Sequence, residues 1–150
     1  MTRVPASQFV PRYISTIGVD FGVKPLLIDG VEAKVNFWDL AGAPEFFDVR
    51  NEFYKDTQGA ILVFDVTKKL SFDALGAWVK ELTKFAGKKK IEIAVCANKT
   101  DLHKRIVSER EGREWAQKSG YMYFETSAQS GENVQEMFTQ LFAKVVRNVQ

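Results

Sequence analysis

Cysteine is almost absent from this sequence: Cys96 is the only one in 150 residues, and it stands inside an apolar run. No disulfide framework and no zinc-ligand spacing can be built from a single thiol, so a reducing, intracellular setting is expected, cytoplasmic in the simplest reading. Histidine is as scarce. His103, the only one, lies among charged residues and reads as solvated surface rather than as a catalytic base. No apolar run approaches the ~18 residues of a membrane span. The start has no signal-peptide core and the final VVRNVQ has no cysteine for prenylation, so a soluble chain without a membrane anchor is expected. An excess of one charge is missing too. The 21 Lys and Arg stand against 19 Asp and Glu with the signs interspersed, which gives no footing for nucleic acid. The run Lys88 to Lys90 is too short to change that and reads as a solvated loop.

What is present is enough apolar residue, 45%, to build one core in a chain of this length. Met1 to Arg12, with two prolines and little periodicity, reads as an irregular lead-in, leaving 13–150 as the domain. From Lys24 to Asp39 an apolar run, the turn pair Asp29-Gly30 and the alternation of Ala33, Val35 and Phe37 predict a β-hairpin. GAILVFDV (Gly59 to Val66) and IEIAVCA (Ile91 to Ala97) are short, continuous and β-branched, the signature of parallel strands buried on both faces.

Between them, Ser71 can cap a single crossover helix carrying Phe72, Leu75, Trp78, Val79, Leu82 and Phe85 at helical spacing. Ser108 with Glu111 three residues on forms a capping box for a helix through Trp115 that would stop at Gly120. Trp78 and Trp115 both read as core. The strand MYFE follows, and Val134, Met137, Phe138, Leu141, Phe142, Val145 and Val146 mark a last amphipathic helix packed on the core. Alternating strand and helix predict a doubly wound α/β domain, which binds ligands beyond the carboxyl ends of its strands.

Three short motifs stand at such strand ends: Asp39-Leu40-Ala41-Gly42, Asn98-Lys99-Thr100-Asp101 and Glu125-Thr126-Ser127-Ala128. Each occurs often by chance, and an Asp at a strand end is usually a turn residue. Their order, each after a strand, is the specific signal. With YISTIGVDF (Tyr13 to Phe21), WDLAG, NKTD and ETSAQ, the sequence resembles the Ras-like small GTPases over almost its whole length, and within them the Rab-like group. Several stretches, RNEFYKDTQGAILVFDV among them, resemble a Rab-like type that carries a C-terminal J domain; no His-Pro-Asp of a J domain occurs here.

The resemblance implies GTP/GDP and Mg²⁺ as ligands, and it implies roles for particular residues. Asp101 would accept two hydrogen bonds from the adjacent N–H groups of guanine, which adenine cannot offer, while Lys99 lays its methylene stem along the base. At about 1.5–3 kcal/mol per charge-assisted bond, the Asp101 pair separates the two bases by roughly two to four decades in affinity. Asn98 would brace the loop, Ser127 would set the turn, and the N–H of Ala128 would meet the base oxygen. Gln129 stands where the family more often has Lys, which weakens stacking on the base. Thr16 resembles the hydroxyl that ligates Mg²⁺, Asp39 would hold the ion through water, and the Gly42 N–H would face the terminal phosphate. Without its neighbours Thr16 would be a plain loop threonine.

Two departures from the family pattern bear on activity. No Gly-x-x-x-x-Gly-Lys-[Ser/Thr] occurs anywhere in the sequence. Five charge-assisted bonds lost at ~1.5 kcal/mol each amount to roughly five decades of affinity, so this chain alone is expected to bind GTP poorly. The expected architecture is therefore a Ras-like P-loop NTPase fold, a mostly parallel sheet with one antiparallel edge strand. The family's N-terminal strand, P-loop and first helix are missing from it, leaving a gap in the sheet.

The second departure is Ala43, which occupies the place of the Gln that orients the attacking water. Hydrolysis is expected to be slow even in a complete parent, so no catalytic residue is assigned. Pro44 should stiffen the start of the second switch.

Effector or regulator proteins would meet the switch regions through Ile17, Val19, Phe21, Trp38, Phe46, Phe47, Phe53 and Tyr54, since aromatics clustered there suit a partner interface. Core packing is the other reading of the group. Two functional readings stand at this point: a guanine-nucleotide-dependent switch, or a non-enzymatic interaction module that keeps the switch surface without the nucleotide cycle.

Overall fold

The structure, a computed structural model, describes residues 9–149. The expected irregular lead-in falls outside the described residues for 1–8; residues 9–18 carry no helix or strand. Val19–Ile28 (β1) and Val31–Leu40 (β2) then form an antiparallel hairpin in which Phe21 pairs with Trp38 and Asp20 with Asp39. Its tip is Asp29-Gly30, with φ of 50° and 80°. Two successive positive φ values give the turn the twist that two right-twisted strands need, and Asp-Gly tolerates them. Pro25 is accommodated because among the described residues β1 pairs only with β2, which leaves one edge that needs no donor.

After β2 come a 3₁₀ turn at Pro44–Phe46 and the short helix Phe47–Asn51 (α1). Gly59–Asp65 (β3), Glu92–Asn98 (β4) and Met122–Glu125 (β5) make a second, parallel sheet in the order β3-β4-β5. The single crossover helix expected from Ser71 is two, Lys69–Asp73 (α2) and Leu75–Ala86 (α3). Ser71 lies inside the first, where its hydroxyl donates to the Lys68 carbonyl at 2.7 Å and accepts from the Asp65 N–H at 2.9 Å. It ties the helix to the end of β3 instead of capping it.

Glu109–Lys118 (α4) and Val134–Val149 (α5) complete the fold. Half of the expected capping box forms at α4. Ser108 Oγ accepts from the Glu111 N–H at 3.1 Å, but the Glu111 carboxylate turns to Lys69. Gly112 of α4 is a close-approach glycine, since a Cβ there would come within 2.6 Å of the Tyr123 hydroxyl on β5.

Strand β4 is buried along its whole length, and its alternation separates two cores. Ile93, Val95 and Ala97 join Phe64, Leu75, Leu82, Val107 and Ala116 on one face, with Trp78 and Trp115 packed against them. Ala94 and Cys96 meet Met137 and Leu141 of α5 on the other. That period of two, with helices on both faces, is the doubly wound arrangement the sequence predicts. Burial pushes the Cys96 thiol up to about 11, so it is packing rather than a reactive group.

The expected gap in the sheet is present: among the described residues the hairpin and the parallel sheet share no strand pairing. Strand β3 is consequently an edge, and Val63 in its middle is 38% exposed although both faces were expected to be covered. Helix α5 carries the hairpin, because Phe37 of β2 meets Phe138 and Phe142 edge-on at 5.9 and 5.6 Å, and Arg147 pairs with Asp29 of the hairpin tip at 3.0 Å.

Candidate nucleotide-binding site

The loops after β4 and β5 leave neighbouring parallel strands at the same end of the sheet, and they are knitted to each other. Asn98 at the end of β4 accepts on Oδ1 from the Ala128 N–H at 3.0 Å and from the Thr126 hydroxyl at 3.2 Å. The Thr100 N–H and hydroxyl both reach the Thr126 carbonyl, at 3.2 and 3.0 Å. Asp101 Oδ1 accepts from the Ser127 hydroxyl at 2.7 Å, and Ser127 Oγ in turn accepts from the Ser130 N–H at 3.1 Å. Asn98, Thr126 and Ser127 are 5%, 1% and 0% exposed, so the Asn98 bonds to Thr126 and Ala128 are made away from water, while Asp101 itself is exposed. Asn98, Asp101, Ser127 and Ala128, named from the sequence, are thus brought into one cluster. Gln129 stands exposed beside it.

Two details differ from the roles the resemblance implies. The Ala128 N–H is engaged by Asn98 rather than turned outward. Lys99, in a left-handed conformation at φ 69°, sends its ammonium to Asp65 at the end of β3, 2.7 Å away, which fixes the direction of its stem. Burial alone would raise the Asp65 carboxyl; the bonds from Lys99 and Thr67 outweigh it and hold the group below its ordinary range. A second brace went unread in the sequence. Arg105 grips Glu125 at the end of β5, with a 2.8 Å bond from Nη2 to Oε2, and Tyr123 donates to the same carboxylate. Here too burial opposes ionisation, and Arg105 and Tyr123 together keep Glu125 below the usual range.

The hairpin holds a second, separate group of the residues named from the sequence. Its register puts Asp39 opposite Asp20, and the chain before β1 folds back so that the Thr16 hydroxyl donates to Asp39 Oδ2 at 3.2 Å. The Ala41 N–H donates to the Gly18 carbonyl at 2.9 Å, tying the same two segments by their backbones. The two residues assigned to Mg²⁺ therefore touch, and a hydroxyl beside a carboxylate suits a hard cation that keeps most of its waters. Among the described residues no three His, Cys, Asp or Glu side chains gather as a metal cluster of their own. Gly42 is exposed and in the same turn; a methyl added there would meet only the Trp78 ring, at 3.7 Å, an ordinary contact.

Arg50 is the functional neighbour that sequence reading missed. Buried at 5%, it makes two bonds to Glu81 of α3, at 2.6 and 2.9 Å, and its Nη1 donates to the carbonyls of Ala43 at 3.0 Å and Ala41 at 3.4 Å. It also lies over the Trp78 and Phe47 rings. No local pattern marks a buried Arg on a five-residue helix.

The aromatic group divides in two. Phe21, Trp38 and Phe53 stack in sequence on the surface, with centroids 4.3 and 4.8 Å apart, and Phe21 and Trp38 are about half exposed. Ile17 is exposed, Phe46 and Val19 are half-buried, and Phe47 leans edge-on against Phe85. Tyr54, expected at a partner surface, is instead core. It follows Phe53 on the inner side of the turn, where its hydroxyl donates to Glu81 at 2.7 Å.

Two parallel strands whose terminal loops gather an Asn-Lys-x-Asp and a Thr-Ser-Ala, with an Asp-x-x-Gly at the end of the hairpin, define a small-GTPase-like α/β domain. The chain belongs to the Ras family, whose sequence model matches residues 1–147. It is 52% identical over 148 residues to DnaJ homolog subfamily C member 27 of Danio rerio, covering 95% of this chain and 54% of that protein. The proteins of the same name from Gallus gallus and Homo sapiens are 51% identical over 149 residues, 96% of this chain and 55% of theirs. The chain thus spans about half the length of the curated relatives it matches. Among the described residues no helix is long and apolar enough to cross a membrane.

Proposed function

We propose that residues 13–150 are the guanine-recognising and switch-bearing part of a Rab-like regulator. Its complete form exchanges GTP and GDP with Mg²⁺ and meets effectors through the Phe21–Trp38–Phe53 face. The observation that carries this reading is the knitted cluster of Asn98, Thr126, Ser127 and Asp101, which holds a carboxylate at the strand ends where guanine's two N–H groups can be met. In that reading Asp101 selects the base and Asn98 keeps the loops together. Thr16 and Asp39 present oxygens to the ion, and the Gly42 N–H sits in the turn that senses the phosphate. Mg²⁺ would neutralise phosphate charge there.

Ala43 has only a methyl, and its extended backbone, φ −67° and ψ 141°, suits the residue before Pro44. Nothing at that position can orient a water, so hydrolysis is slow in the complete protein; Ala43→Gln there should raise the single-turnover rate. Without a Gly-x-x-x-x-Gly-Lys-[Ser/Thr] this chain binds GTP poorly by itself. Titration with fluorescent GDP and Mg²⁺ tests the binding: weak binding that Asp101→Ala abolishes supports the reading, and nanomolar affinity overturns the expectation of poor binding.

The second reading, a partner-binding module without a nucleotide cycle, is favoured by the Phe21–Trp38–Phe53 cluster, whose first two rings are about half exposed. A melting shift of several degrees with GTP and Mg²⁺ would sink it.

A further inference from the structure

Among the described residues Arg50 is the one buried cation, and both of its ends act on the switch surface. The guanidinium holds the carbonyls on either side of Gly42, those of Ala41 and Ala43, while Glu81 clamps it from α3 with two bonds. The backbone carbonyl of Arg50 accepts from the Phe53 N–H at 3.0 Å, and Phe53 is the last ring of the exposed stack. The Trp78 ring fills the remaining side, in contact with the guanidinium and 3.7 Å from where a Gly42 side chain would begin.

An arginine fork suits this task because its planar donors serve a carboxylate and two carbonyls at once; a lysine ammonium is a compact point charge on a flexible stem. We infer that Arg50 is a positioning residue: clamped by Glu81, it fixes the Ala41–Ala43 turn in one presentation and couples that turn to the Phe21–Trp38–Phe53 face. The inference rests on the reading of this turn as the phosphate-facing switch. A salt bridge serving stability alone would need the Glu81 contacts and not the two carbonyls.

Two hydrogen-bonded amides report on the turn directly: Ala41, which donates to Gly18, and Phe46, which donates to Ala43. Their hydrogen exchange is measured with the melting temperature in the full chain, in Arg50→Lys, and in a triple variant, Arg50→Met with Glu81→Met and Tyr54→Phe. That triple variant replaces the buried pair and its hydroxyl partner by apolar groups of similar size, a change the fold tolerates in principle.

A rise of tenfold or more in exchange at Ala41 and Phe46, with melting within a few degrees and the β4 amides unchanged, is the expected result. A change in Trp38 emission should accompany it. Exchange at the two amides within twofold of wild type, or rising in step with β4, overturns the inference. If the triple variant does not fold, Arg50→Lys decides by the same criteria. Guanine nucleotide that leaves both amides unmoved in the wild-type chain counts against the nucleotide reading alone.

Discussion

The two halves of the candidate site rest on different supports. After β4 and β5 the contacts run from buried side chains to the backbones of both loops: Asn98 and Thr126 cross-link them, and ion pairs at Asp65 and Glu125 brace them from outside. Around the end of β2, Asp39 and Gly42 are exposed. Thr16 and Asp39 share one hydrogen bond, Gly18 and Ala41 another, and a single buried strut, Arg50 with Glu81, stands behind the turn. The difference fits the tasks proposed for them. A base-recognition loop works best preorganised, because ordering it on binding would subtract from affinity. A switch must have a second arrangement within a few kcal/mol, which many buried bonds would forbid.

The largest break in that comparison should come from the strut. Arg50→Ala or Glu81→Gln leaves the other group buried without its full counter-charge, and a loss of about 3–5 kcal/mol is expected in urea unfolding at neutral pH. The strut also predicts acid sensitivity. The Arg50 hydrogen bond, aided by that of Tyr54, overcomes burial and lowers the Glu81 carboxyl below its ordinary 4.5. Stability from this group is complete above 4.5 and is lost as pH falls through the lowered folded value.

On the base side, Asn98→Ala removes the acceptor of two donors at once, the Thr126 hydroxyl and the Ala128 N–H. A loss of about 2–4 kcal/mol is expected, with faster exchange in the loops after both strands. Thermal melting resolved by NMR should place the loosening there and not in the hairpin.

Acid titration of the outer braces comes next in size. Asp65 and Glu125 both lie below their ordinary values of 3.8 and 4.5. The urea midpoint should therefore fall as pH drops below that range, and Glu125→Gln should flatten part of the slope. A slope unchanged by Glu125→Gln would remove Arg105–Glu125 from the set of braces.

The smallest effect belongs to the exposed contact. Thr16→Ala should change stability by no more than about 0.5 kcal/mol, since Thr16 and Asp39 meet in water. A loss above about 1 kcal/mol by urea unfolding would mean that the switch half is as firmly built as the base half.

How much of this was legible beforehand follows from sequence distance. The hairpin, its Asp-Gly turn, the Ser108 cap and the α5 stripe all depend on residues within one or two turns of each other, so periodicity and turn chemistry revealed them. The break at Ala74 did not show, because an apolar stripe at helical spacing continues across it. Tyr54 was misplaced for a similar reason: Phe53 and Tyr54 look alike in a list of aromatics, and only the packing of α1 on α3 sends one outward to Trp38 and the other inward to Glu81. The roles expected of Asn98 and Asp101 rest on the family resemblance, whereas the network that Thr126 and Ser127 make with them emerged only in three dimensions.

By itself, then, the sequence determined the family, the order of the five strands, and the identities of the groups at three strand ends, because these are written in local pattern and short motifs. The tertiary structure decided which of those groups meet. Thr16 finds Asp39 across 23 positions, Ala128 finds Asn98 across 30 and Arg50 finds Glu81 across 31. Contacts of that range are fixed by strand register and by helices packing over two cores, and no local preference of the chain encodes them.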